Sequence, residues 1–380
     1  MKKVMIISET LEGGVRKHIS DLLKEIDKNK YKLYVLYNPN RIDDLMSKSI
    51  NESEFGNVEF ISSKYLNRPI NLKKDIKAFV EIHSFIRKIK PDVVHCHSSK
   101  AGAIGRVSAK LNNINHIYYT PHAYVMQNPN ISKVKYKIFL AIEKLLSKFC
   151  TKFTINVSEG ERNFAIKSKV DKSEKFKVIY NGLNETTEIC NMDYYKKKFG
   201  INEGNLVIGV CGRLDSQKDP LTFLKIAKSV LELNQNITFL YIGDGELKKE
   251  ANKFIIDNDM ESNVLLTGFS KDVEKIIQII DIYLITSLYE GLPYSLIEAL
   301  KYKLPIVATD TIGNNEIVID GKNGLLFKVG NIEEGTEKVI KLIEDNDERT
   351  IMGKNSYKFF KKNFLISDMI SNIQFLYDLD

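Results

Sequence analysis

Short apolar runs alternate with longer amphipathic stretches along almost the whole chain. The runs fall at residues 3–8, 32–36, 58–61, 91–95, 117–120, 153–157 and 176–180. A brief continuous apolar run bounded by turn residues marks a strand buried on both faces, as in a parallel sheet. Between these runs, residues 15–26, 72–89, 100–111 and 132–148 place apolar side chains at helical spacing. Residues 39–71 are polar and irregular apart from one short strand. The turn signal Asn181-Gly182 and a polar stretch at 184–191 then interrupt the rhythm. It restarts with strands at 206–211, 237–242, 264–266, 282–285, 305–308 and 324–327, and helices at 333–344, 348–361 and 367–376. Two successive rounds of alternation predict an α/β protein of two doubly wound, Rossmann-like domains facing a cleft. The expected divisions are residues 1–185, 186–362 and a final helical segment, 363–380.

Composition narrows the class. The chain has 380 residues, 43% hydrophobic and 28% charged, enough for two real cores and too apolar for disorder. The net charge of +7 suits an anionic membrane surface or phosphorylated substrates, but no nucleic-acid-binding motif accompanies it. Cys96, Cys150, Cys190 and Cys211 lack metal-ligand spacing and read as incidental thiols of a reducing cytoplasm. Cys96 lies between His95 and His97, but a strand sends neighbouring side chains to opposite faces, so this triplet alone is no zinc site. The first residues, MKKVMIISE, are too short an apolar run for a signal peptide, and no stretch is long enough to cross a bilayer.

Several loops carry candidate chemistry. Residues 290–298 (EGLPYSLIE) read as a strand end, a tight turn at Gly291 and Pro293, and a helix start, an arrangement suited to an anion. Glu290 and Glu298 offer acceptors for sugar hydroxyls; a cap and a solvated side chain are the plain alternative. Pro293 has no N–H, so only neighbours such as Leu292 and Tyr294 can donate there. Gly212, Arg213 and Lys218 follow a strand and precede a helix. A planar guanidinium and a compact ammonium there form a diphosphate clamp, or else are two surface cations. Gly13 and Gly14 sit between the first strand and helix, where a ligand can approach the backbone closely, although GxGxxG is missing. His122 follows a strand end, where an imidazole can donate to a hydroxyl or shift charge. Gly243 and Phe269 close two further strand–loop junctions.

Residues 132–148, from Ser132 to Lys148, set Lys133, Lys135, Lys137, Lys144 and Lys148 against one acid, Glu143. This basic amphipathic helix has two readings: a packed helix with a solvated face, or peripheral contact with an anionic membrane.

The stretch EGLPYSLIEAL resembles the E-x7-E motif of the retaining glycosyltransferases of family 4. The resemblance extends in order through Gly13-Gly14, Thr120-Pro121-His122, VIYNG at 178–182, Gly212-Arg213 with Lys218, and DGKNGLLF at 320–327. It implies the glycosyltransferase B fold, with an acceptor domain first, a nucleotide-sugar domain second, and a last helix returning to the first. It implies His122, Arg213, Lys218 and Glu290 as catalytic groups, with Glu290 at the donor sugar and Glu298 at the ribose. Gly13, Gly14, Gly212, Gly243, Phe269, Leu292 and Tyr294 join Glu298 as donor-binding positions. The glycine loop at 13–14 lies near donor phosphates and acceptor, the residues after Gly268 near the base. No metal and no other cofactor is expected, because fixed cations meet the leaving diphosphate.

Residues 98–122 resemble the subgroup that assembles bacterial capsule, O-antigen or exopolysaccharide units, which implies a UDP-sugar donor, a hexose or N-acetylhexosamine, and a lipid-linked glycan acceptor. The enzyme is then expected in the cytoplasm, at the inner face of the membrane. Two departures stand out: Ala123, where relatives often have Gly, and TIGNNE at 311–316, where many have Gly-Gly-x-x-Glu. A UDP-sugar epimerase, a phosphorylase of the same fold and a non-catalytic sugar-nucleotide-binding protein remain alternatives.

Overall fold

The structure, a computed structural model, describes residues 1–67, 70–186 and 189–379. Its chain forms two compact units, Met1–Asn181 with Ile366–Asp380, and Gly182–Leu365. The first crossing falls four residues before the one expected at 185/186, and the second three residues after 362/363. Part of the expected boundary stretch, Thr187 and Glu188, lies outside the described residues, as do Arg68 and Pro69 of the irregular segment 39–71.

The first unit is built on seven parallel strands: β1 (Lys2–Ser8), β2 (Tyr31–Tyr37), β3 (Glu59–Ser62), β4 (Val93–His97), β5 (His116–Thr120), β6 (Phe153–Asn156) and β7 (Phe176–Val178). They lie in the order β3-β2-β1-β4-β5-β6-β7, so the sequence reverses direction between β1 and β4. The core strands β1, β4 and β5 are buried almost throughout, which is why they read as unbroken apolar runs. The helix Ile366–Asp378 joins this unit: Met369, Ile370, Ile373, Leu376 and Tyr377 share one core with Val4, Ile6 and Tyr118. Polar ties fix it in place, from Tyr31 Oη to Asp378 Oδ1 (2.7 Å) and from Lys2 Nζ to the Tyr377 carbonyl (2.8 Å).

The second unit repeats the plan with β8 (Leu206–Cys211), β9 (Ile237–Ile242), β10 (Val264–Gly268), β11 (Ile282–Ile285), β12 (Ile306–Thr309) and β13 (Gly324–Phe327). The order is β10-β9-β8-β11-β12-β13, all parallel, with its reversal between β8 and β11. Crevices beyond the carboxyl ends of the strands at such reversals are where open α/β sheets bind ligands.

Three helix starts are held in different ways. The helix Ser99–Leu111 is not capped by a serine side chain: Ser98 is at φ 66° and makes no capping bond. The buried Glu9 carboxylate instead accepts from the Ala101 N–H at 2.6 Å. Glu290 does not cap the helix Tyr294–Lys301, whose N-cap is Pro293. Asp43 caps Asp44–Asn51 through the Met46 N–H and pairs with Arg16 at 3.0 Å.

Candidate active site

In the second unit, the loop after β8 carries Gly212, Arg213 and Lys218, and the loop after β11 carries Glu290, Leu292 and Tyr294, with Glu298 on the helix that follows. The two loops flank the β8/β11 reversal and meet through Lys218 Nζ and Glu290 Oε1, 2.5 Å apart. Glu290 is 5% exposed, so this ion pair is largely withdrawn from water. It is an attraction that bulk solvent screens little. The same loops are bound again by Gln217 Nε2 donating to the Tyr289 carbonyl (3.0 Å) and the Leu288 N–H donating to the Gln217 carbonyl (2.8 Å).

Arg213 is placed differently. Its side chain is 50% exposed and pairs with Asp215 at 2.9 Å. The two cations read from the sequence as one clamp are thus each matched to a separate carboxylate. Gly243, after β9, is at φ 151°, and a Cβ there would come within 1.9 Å of the Gly212 carbonyl oxygen. Only glycine lets these two loops touch. Gly313, in the TIGNNE loop, is similar: a Cβ would meet the Gly291 carbonyl at 2.6 Å, beside the Glu290 side chain. Glu298 lies close enough to Cys211 that burial and its carboxylate together push that thiol up to about 12. Phe269 follows β10 and is 52% exposed, while Leu292 and Tyr294 are buried.

The first unit has its own constellation, at the β1/β4 reversal. Gly13 and Gly14 open the helix Gly13–Glu25, and that helix carries His18. His97 ends β4 and His122 follows β5. His97 Nδ1 lies 3.0 Å from His122 Nε2, the two rings stacked at 22°, and the His18 ring meets His122 edge-on at 4.9 Å. His18 Nδ1 is 3.0 Å from Asn181 Oδ1. Behind them His95 is held by Tyr377 Oη (2.7 Å) and Thr120 Oγ1 (2.8 Å). Burial pushes His18 down to about 4, and it holds His95, His97 and His122 well below the ordinary imidazole value, with neighbouring rings adding to each shift. The cluster is therefore neutral near pH 7.

The His122 backbone is at φ 54° and Ala123 at φ 83°, both in the left-handed region that costs an L-residue free energy. Glu161 holds this turn. Fully buried, it accepts from the Ala123 N–H through Oε1 (2.7 Å) and from the Val157 N–H through Oε2 (2.9 Å). The sequence gives Glu161 and His18 no role, sets His97 aside with its triplet and marks Asn181 only as a turn residue. The Ser158-x-x-Glu161 spacing was the available signal for Glu161, since it matches a capping box, and Ser158 Oγ does accept from the Glu161 N–H. The histidines had no local signal beyond the His95-Cys96-His97 alternation. That alternation does send Cys96 to the opposite core, but tertiary folding brings His97 to two other rings.

Comparison with known proteins fits this architecture. A family model described as "Glycosyl transferases group 1" matches residues 191–359, and one described as "Glycosyltransferase Family 4" matches residues 12–187. The two matches together span most of the chain, which belongs to the group 1 glycosyltransferases and has the glycosyltransferase B fold. It is 29% identical over 318 residues to UDP-Gal:alpha-D-GlcNAc-diphosphoundecaprenol alpha-1,3-galactosyltransferase of Escherichia coli, covering 82% of this chain and 81% of that protein. It is 24% identical over 322 residues to the capsular polysaccharide biosynthesis glycosyltransferase CapM of Staphylococcus aureus, covering 82% and 83%. The fold matches Anabaena HepE, solved with UDP and glucose, at a TM-score of 0.84, 20% identity and full coverage of both chains. No helix among the described residues is long and apolar enough to cross a membrane.

Proposed function

We propose that this glycosyltransferase moves a hexose or N-acetylhexosamine from a UDP-sugar to a hydroxyl of a lipid-linked glycan, with retention at the anomeric carbon and without a metal. The Lys218–Glu290 pair at the β8/β11 reversal carries this reading. A carboxylate already bound by an ammonium is a poor nucleophile and a well-fixed acceptor for a sugar hydroxyl. That favours a front-face transfer, in which the leaving phosphate takes the acceptor proton, over a covalent Glu290 intermediate. Arg213 and Lys218 supply fixed positive charge where the departing diphosphate becomes more negative. Phe269 offers an exposed ring for the base, Glu298 and the backbone near Leu292 and Tyr294 serve the ribose and phosphates, and His122 serves the sugar. Gly13, where a Cβ would meet nothing within 4 Å, and Gly14 beside it leave room for phosphate, and Gly212 and Gly243 serve the donor beside Lys218. The UDP donor and the undecaprenyl-diphosphate acceptor named for the E. coli relative, and the UDP held by HepE, support the same substrate class.

The helix Lys133–Cys150 supports peripheral membrane contact. Val134, Ile138, Ile142, Leu145 and Phe149 form an exposed apolar stripe interleaved with lysines. The one acid, Glu143, turns inward to the fully buried Arg106 at 2.8 Å, so the outer face carries only positive charge. Flotation with anionic vesicles, lost on Ile138→Glu, is the expected result; equal binding to neutral vesicles would remove this part of the proposal.

The reaction is tested by following UDP release from a panel of UDP-sugars in EDTA, with and without a polyprenyl-diphosphate-linked sugar. Acceptor-dependent release from one donor is expected. Release without acceptor, together with an isomerised sugar, would make the protein an epimerase.

A further inference from the structure

Four of the six histidines of the chain gather at the β1/β4 reversal, and a sugar transfer needs only one of them. Among the described residues, His18, His97 and His122 each present a ring nitrogen within 4.8 Å of the other two. His97 Nδ1 and His122 Nε2 are 3.0 Å apart. Two imidazole nitrogens on a tetrahedral zinc with bonds of 2.0–2.1 Å stand roughly 3.3 Å apart. Asn181 Oδ1 can only accept, so His18 Nδ1 carries the hydrogen and its Nε2 keeps the lone pair. That Nε2 is buried with no hydrogen-bond partner. An orphaned polar atom in a buried site calls for an explanation.

We infer that His18, His97 and His122 form a three-imidazole site for a borderline transition-metal ion such as Zn2+ or Co2+, and that the ion, once bound, withdraws His122 from sugar transfer. All-imidazole donors select these metals over Mg2+ and Ca2+, which take oxygen. The rings are neutral, the state a metal requires. Binding at His97 Nδ1 and His122 Nε2 replaces their shared hydrogen bond; the displaced hydrogen moves to the other nitrogen of the same ring, and no net proton is released. Asn181 supplies the outer contact that fixes a ligating histidine's tautomer and orientation. His122 is the partly exposed member and gives the ion a way in, and a fourth position is left for water. The site is inhibitory in this account, so metal-free catalysis and metal binding do not conflict. Only the inhibitory consequence rests on the role proposed for His122; the binding does not.

The test is titration of the full chain, freed of EDTA, with Co2+ and with Zn2+. Visible ligand-field absorption saturating at one Co2+ per chain is expected. It should weaken by roughly tenfold or more in His18→Gln and by about 10- to 100-fold in Asn181→Ala, and persist in His83→Gln. X-ray absorption of the zinc-loaded wild type, which needs no variant, should show three imidazoles. Absence of saturable Co2+ absorption, an unchanged affinity in His18→Gln, or fewer than three imidazoles around zinc would overturn the site. Zinc bound by three imidazoles with turnover undiminished would overturn the inhibition alone.

Discussion

The two units use one topology and furnish its reversal point differently. Between β8 and β11 the loops bring charge: the Lys218–Glu290 pair, and Arg213 beside Asp215. Between β1 and β4 they bring neutral rings, His18, His97 and His122, on a backbone strained at His122 and Ala123. The difference follows from what each crevice is proposed to meet. A nucleoside diphosphate carries fixed negative charge and is matched by fixed cations. An acceptor hydroxyl is uncharged and must be oriented, which neutral donors and acceptors do without attracting a competing anion. The contrast also shows how the same fold can place its strain. In the second unit the tight loop contacts fall on Gly243 and Gly313, where they cost little, although Asp219 beside Lys218 is left-handed at φ 47°; in the first unit His122 and Ala123 are both left-handed and a buried carboxylate holds their turn.

The largest effect is expected from the charged crevice. Lys218→Ala and Arg213→Ala should each lower kcat/KM by roughly 10²–10³-fold, about 3 kcal/mol or more of transition-state stabilisation. Thermal unfolding separates them. Lys218→Ala leaves Glu290 buried without its ammonium and should cost about 3 kcal/mol of stability. Arg213→Ala breaks a half-exposed pair and should move the melting temperature little. Equal destabilisation by both would erase the distinction between a buried pair and an exposed cation.

Next comes the imidazole side. His122→Ala should lower kcat by on the order of 10²-fold with donor affinity unchanged, as read by steady-state kinetics with varied UDP-sugar. Glu161→Ala should destabilise the fold by a few kcal/mol in urea unfolding, since the Ala123 and Val157 N–H groups lose a buried acceptor at about 1–3 kcal/mol each. The smallest effect has the opposite sign. Ala123→Gly relieves a left-handed alanine at φ 83° and should raise stability by about 1 kcal/mol, seen as a melting temperature a few degrees higher.

Most of the fold was legible because parallel strands covered on both faces are largely apolar, as β9 and β11 are, while β4 is equally buried and still carries His95 and His97. Ser132 and Ser158 cap their helices, each side-chain oxygen meeting an N–H group the helix leaves unpaired. The start of the helix Ser99–Leu111 was not legible, because its Ala101 N–H is met by Glu9, 92 residues earlier. The charged side was partly visible, since Arg213 and Glu290 stand next to turn glycines and Lys218 shares the loop of Arg213. That Lys218 would meet Glu290 rather than stand with Arg213 was not, because the pair spans 72 residues. The imidazole cluster was least visible. His18 to Asn181 spans 163 residues, and the rings converge only because the sheet lines up separate strand ends.

The most direct test of this division is calorimetric titration of UDP, with EDTA present, into the wild type, Arg213→Ala and His122→Ala. The account predicts wild-type affinity in His122→Ala and a loss of tenfold or more in Arg213→Ala. Unchanged affinity in Arg213→Ala, or lost affinity in a folded His122→Ala, would contradict the assignment of nucleotide to the charged crevice.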